Sequence, residues 1–167
     1  MANYDWSKFT LRIPVDAPAE KIYSALATQA GIESWFLRSA HYFDEASNQQ
    51  RAADEFIQPG DRYTWLWHGY DDDTVEHNFI LEANGEDELS FVFAGHCTVT
   101  IMIGMLHNET IVELTQENIP TGDEAKANIH IGCMEGWTFY LTNLKSILEG
   151  GIDLRNRNIE IGKVINA

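Results

Sequence analysis

The residues best suited to chemistry in this chain are aromatic. Tyr63, Trp65 and Trp67 alternate at two-residue spacing, so a strand would project all three rings from one face. Phe91 and Phe93 repeat that pattern further on, Trp35 precedes them, and Trp137 and Tyr140 stand one helical step apart late in the chain. Indole and phenol rings pair a large apolar face with one polar atom, which suits capture of a small apolar or aromatic molecule. Filling an ordinary core is the plainer use, each ring then contributing about 1.5–3 kcal/mol of burial. Met134 lies on the same helical stripe as Trp137 and extends the candidate wall. His130 would be a polar anchor at the mouth of such a cavity, or else a histidine bonded to backbone inside the protein.

Other chemistries find less support. His68 and His77 flank the turn at 69–74 beside Asp71, Asp72 and Asp73, and a hairpin there could bring them near each other. Metal-ligand spacing of the H-x-x-x-H or C-x-x-C kind is absent, so no metal is expected. No G-x-S-x-G elbow and no phosphate-binding glycine loop occur, and neither cysteine adjoins a lysine or arginine, so no nucleophile and no cofactor is expected. An enzyme built here would need His130, His77 or a cavity carboxylate as general base.

The elements that must position these rings are legible from periodicity. Thr121-Gly122-Asp123-Glu124 is a capping box that opens a long helix. His130, Cys133, Met134, Trp137, Tyr140, Leu141, Leu144, Ile147 and Leu148 then follow helical steps until Gly150-Gly151. Before it, Phe9–Val15 reads as a strand whose Pro14 suits a sheet edge. A helix opens with Pro18 at an early position and breaks at Gly31, and a second short turn carries Ile32, Trp35 and Phe36. Strand patterns follow at Ala40–Glu45, Glu55–Ile57, Arg62–His68, Val75–Ala83, Leu89–Ala94, Cys97–Leu106 and Thr110–Glu117. The turns between them, Asn84-Gly85 above all, are too short for parallel crossovers and require antiparallel hairpins. This predicts an α+β fold: a curved antiparallel sheet of about six or seven strands wrapped around a long C-terminal helix, with two short helices after the first strand. Gly132 and Gly136 on the helix either permit close approach to the sheet or leave space above it. Residues 152–167 read as a polar tail on the surface, following a domain at 1–151.

The chain has 167 residues, an acid excess giving a formal charge of −15, and no run near the roughly 18 apolar residues of a membrane span. That charge works against phosphate backbones and anionic lipid surfaces, which excludes nucleic acid as a partner and leaves a basic protein partner open. The opening residues lack a basic leader, and the two cysteines read as buried reduced thiols, with a Cys97–Cys133 disulfide as the alternative; a soluble cytoplasmic protein is expected.

Several stretches carry a family resemblance. They are Phe9–Val15 with Ala17-Pro18-Ala19-Glu20-Lys21-Ile22-Tyr23-Ser24-Ala25-Leu26, then Gly31-Ile32-Glu33-Ser34-Trp35-Phe36, Pro59-Gly60-Asp61-Arg62-Tyr63-Thr64-Trp65, and Gly136-Trp137-Thr138-Phe139-Tyr140-Leu141-Thr142-Asn143-Leu144-Lys145. In this order they resemble the START-like, or SRPBCC, superfamily, the helix-grip fold shared with the birch pollen allergen and the polyketide cyclases. Within it the chain is similar to small bacterial relatives of the C-terminal domain of the activator of heat-shock-protein-90 ATPase. The resemblance implies a cavity between sheet and helix that holds a hydrophobic ligand without catalysis. It also keeps two other roles open: an interaction module, such as a chaperone cofactor or stress-response partner, and a cyclase- or hydrolase-like enzyme. A homodimer through an edge strand or the tail is compatible with every one of these.

Overall fold

The computed structural model describes residues 4–162, 164 and 165; the opening residues 1–3 and the tail positions 163, 166 and 167 lie outside the described residues. Strand β1 (Phe9–Pro14) is followed by helices α1 (Ala19–Ala27) and α2 (Gln29–Trp35). The meander then comprises β2 (Ser39–Phe43), β3 (Arg62–Leu66), β4 (Val75–Ala83), β5 (Glu88–Phe93), β6 (Cys97–Leu106) and β7 (Glu109–Glu117). All seven strands form one antiparallel sheet in the order β1-β7-β6-β5-β4-β3-β2, so β1 and β2 are its edges. Pro14 ends β1, where a missing N–H costs the sheet no internal bond. The register between β4 and β5 slips between Ile80 and Glu82, a bulge that bends the sheet. His107 and Asn108 both take positive φ in the two-residue turn between β6 and β7, as a tight hairpin requires.

The C-terminal helix is composite. A short α turn, α3 (Asp123–Ala125), runs into a π-helical stretch (Lys126–Ile131) and then into α4 (Gly132–Leu148). The expected capping box does not form: Gly122 is the N-cap, and no side chain caps the turn. The far end is as expected, with Gly150 at φ 83 and Gly151 N–H donating to Ser146 O. Inside the sheet's concave face the core gathers Trp35, Tyr63, Trp65, Phe91, Val99 and Leu114 against Leu141 and Leu144 of α4.

Three local expectations are corrected. The α1–α2 break falls at Thr28, in extended backbone (φ −128, ψ 155), whose Oγ1 accepts from Gly31 N. Gly31 lies inside α2, where a Cβ would meet Ser24 O at 2.1 Å, so its smallness serves close packing and not helix termination. Glu55–Ile57 is not a strand: Phe56 makes only an isolated bridge to Thr28, and Ile57 N–H donates to Ala27 O. That segment is held by Arg51, which bonds Glu55 and the buried carboxylate of Asp61. The start of the tail is no appendage either. Arg155 is buried and donates to the carbonyls of Glu33, Ser34 and Leu37 at the C-terminal end of α2, while Leu154 N–H bonds Asn143 Oδ1. Unpaired carbonyls at a helix end attract a cation, and that attraction overrides the polar look of the sequence.

Candidate functional site

A cavity of about 330 Å³ opens between the ends of β3, β4 and β5 and the first half of the C-terminal helix. Strand alternation explains its inner wall. Tyr63, Trp65 and Trp67 share one face, but their depth differs along the strand. Tyr63 and Trp65 are fully buried and stack on each other at 3.9 Å, whereas Trp67, just past β3, lines the cavity. The same gradient holds on β5, where Phe91 fills the core and Phe93 reaches the cavity. From the helix, Trp137 and Tyr140 complete the wall, and Phe36 closes it from the end of α2.

Four of these rings form a closed circuit. Centroids are 6.0 Å apart for Phe36–Trp67, 6.4 Å for Trp67–Phe93, 5.3 Å for Phe93–Trp137 and 4.9 Å for Trp137–Phe36. Tyr140 packs edge-on against Phe36 at 4.7 Å. Gly132 and Gly136 lie on the cavity side of α4, and a Cβ at Gly136 would have no neighbouring atom within 4 Å. Of the two expectations for this glycine pair, the helix leaves space there.

The structure divides the ten residues expected at the site. Trp67, Phe93, Trp137 and Tyr140 line the cavity together. Trp35, Tyr63, Trp65 and Phe91 do not; their polar atoms, where present, are already bonded inside the protein. Trp35 Nε1 donates to Ala25 O, Trp65 Nε1 to Tyr42 Oη and Tyr63 Oη to Val92 O. Met134 is half-buried and packs against the core without lining the cavity. His130 faces away from the cavity. Its Nδ1 donates to Trp6 O at 2.9 Å, because a carbonyl can only accept, and its Nε2 then accepts from Tyr4 Oη at 2.8 Å. The histidine therefore pins the N-terminal arm to the π-helical stretch and has no free nitrogen for a cavity ligand or substrate. His77 is opposite Thr64 in the β3–β4 register and bonds its Oγ1, so the hairpin does not pair it with His68. Among the described residues, no group of three or more His, Cys, Asp or Glu is placed to hold a metal.

Reading the sequence missed Phe36, Tyr70, Val75, Glu76, Asn128 and Cys133 as lining residues. Asn128 sits in the π-helical stretch, whose wider turn gives no apolar periodicity to find it by. Glu76 is the one formally charged lining residue: its Oε1 accepts from Asn78 Nδ2 at 2.8 Å and from Ala94 N–H at 3.0 Å. Behind the wall, the fully buried Gln116 accepts from Trp137 Nε1 at 3.0 Å and fixes the indole plane. Burial pushes up the Tyr140 phenol and the Cys133 thiol, so both stay neutral at physiological pH. Both cysteines are free.

Solved structures share this architecture at low sequence identity. The crystal structure of protein SSP2350 from Staphylococcus saprophyticus matches with a TM-score of 0.67 and 22% identity, covering 89% of this chain and 96% of that one. The solution structure of the Aha1 dimer from Colwellia psychrerythraea gives 0.61 and 21%, covering 86% and 97%. CalU16 from Micromonospora echinospora gives 0.60 and 17%, covering 88% and 77%. No curated protein matches the chain. The sequence model for activator of Hsp90 ATPase homolog 1-like proteins matches residues 16–149, which takes in α1, the whole meander and the C-terminal helix. The chain accordingly belongs to the activator of Hsp90 ATPase homolog 1-like family, with the START-like helix-grip fold.

Proposed function

We propose that this protein is a non-enzymatic, cytoplasmic carrier or sensor of a small aromatic molecule, held between the sheet and the C-terminal helix. The observation that supports this reading is the closed circuit of Phe36, Trp67, Phe93 and Trp137 around a cavity of about 330 Å³. That volume is at the small end of ordinary ligand sites. The binding wall and the core wall are made of the same residue types, and the empty space above Gly136 is what separates them. Two free thiols fit a reducing compartment. Neither histidine expected as a base lines the cavity: His130 is bonded to Tyr4 and Trp6, and His77 lies in a separate groove with Arg62 and Phe79.

Gly136→Leu tests this directly. The new side chain projects into the cavity, while leucine is a better helix former than glycine by somewhat less than about 1 kcal/mol. Tryptophan fluorescence quenching by 2-naphthol is expected to saturate with the native protein and to be lost in the variant, with thermal stability kept or raised. Saturable quenching that survives Gly136→Leu unchanged removes the cavity as the binding site.

A further inference from the structure

The cavity that we read as a ligand site has a definite electrostatic character. Its walls carry six aromatic rings, and neither lysine, arginine nor histidine is among its lining residues. The one charge is the Glu76 carboxylate, and none of the described ion pairs includes it. Both of its hydrogen bonds fall on Oε1, from Asn78 Nδ2 and Ala94 N–H, leaving Oε2 without a bond among the described residues. Arg38 donates to the Trp67 carbonyl but is already paired with Asp72 at 2.6 Å.

We infer that the ligand is an aromatic or compact apolar molecule bearing a cationic nitrogen, its ammonium seated among Phe36, Trp67, Phe93 and Trp137 and paired with Glu76. This rests on the reading of the cavity as a ligand site and names the class of molecule it takes. Aromatic faces are the negative ends of ring quadrupoles, and a ring of them with tryptophan attracts ammonium groups, quaternary ones especially. Their weak hydration lowers the cost of leaving water. A neutral aromatic lying over Glu76 would strip water from the carboxylate and bring no opposite charge in return, a cost that a cation offsets. An anion would meet both a carboxylate and the negative ring faces. The chain's net charge of −15 acts in the same direction at long range, drawing cations toward the mouth.

A matched pair of probes reads the charge alone: benzyltrimethylammonium and its uncharged carbon isostere neopentylbenzene, titrated against the full chain by tryptophan fluorescence. The cation is expected to bind more tightly by about tenfold or more, the range of cation–π and ion-pair contact in a partly buried site, since this probe has no N–H to donate. In Glu76→Gln, whose amide oxygen can still accept from Asn78 and Ala94, the ratio of the two affinities is expected to fall about tenfold. Circular dichroism of this variant checks that it is folded. Equal binding of both probes, or tighter binding of the neutral one, overturns the cationic class and leaves the cavity reading standing. Saturable binding of neither probe overturns both. A ratio that Glu76→Gln leaves unchanged overturns the part assigned to the carboxylate.

Discussion

At the scale of single residues, two tryptophans two positions apart have opposite roles. Trp65 is fully buried, stacks on Tyr63 and donates to Tyr42, so its replacement leaves a cavity and an orphaned hydroxyl. Trp67 is half-buried at the cavity edge. Trp65→Ala is therefore expected to cost about 3–5 kcal/mol in urea unfolding. Trp67→Ala should cost no more than about 1–2 kcal/mol while abolishing naphthol quenching. Equal destabilisation by the two variants would contradict the division between core and wall. The alternation that put both rings on one face was plain in the sequence. Their depth was not, because depth depends on where β3 ends relative to the helix crossing it.

At the scale of elements, the joint between α2, α4 and the start of the tail is the main addition. Asn143, buried on α4, donates to Trp35 O and to Asp153 Oδ1 and accepts from Leu154 N–H. Arg155 reaches past it to the α2 carbonyls of Glu33 and Ser34 and to that of Leu37 just beyond, which steadies the α2 end from which Phe36 enters the cavity. Removing the guanidinium in Arg155→Ala is expected to cost about 3 kcal/mol and to weaken ligand binding, measured by urea unfolding and naphthol titration. Burial works to raise the Asp153 carboxyl, but bonds from Arg155 and Arg157 outweigh it and hold the group well below its ordinary value of 3.8. A lowered carboxyl stabilises the fold fully above that ordinary value, and the contribution is lost as pH falls toward the folded value. Urea unfolding between about pH 5 and pH 2 should thus show a shallower loss of stability in Asp153→Asn than in the native chain. Identical slopes would mean that the ion pair contributes nothing to folding.

At the scale of the whole molecule, the charge of −15 is spread over a chain with only 11 lysines and arginines. Self-repulsion of that size opposes compaction, and salt screens it over about 8–10 Å at ordinary ionic strength. Thermal unfolding is expected to move upward by several degrees between low and about 0.5 M sodium chloride, unlike a protein held by surface ion pairs. A midpoint that falls with salt would show that pairs such as Arg12–Glu113 outweigh the net repulsion. No helix among the described residues is long and apolar enough to cross a membrane.

The amino-acid order by itself determined the helix-grip plan, because hairpin turns, strand alternation and a one-faced helix are local patterns that leave few ways to cover a sheet. It also put the aromatic rings on the right faces and marked Gly132 and Gly136 as unusual in a helix. Only the tertiary structure decided which rings were wall and which were core. It alone brought Glu76 of β4 and Phe36, just past α2, to one cavity, turned His130 toward Tyr4 and Trp6, and docked Arg155 on the end of α2. These are contacts between residues far apart in the chain, set by how the bent sheet meets the helix. No periodicity records them, since period reports which face a side chain takes and not what that face will meet.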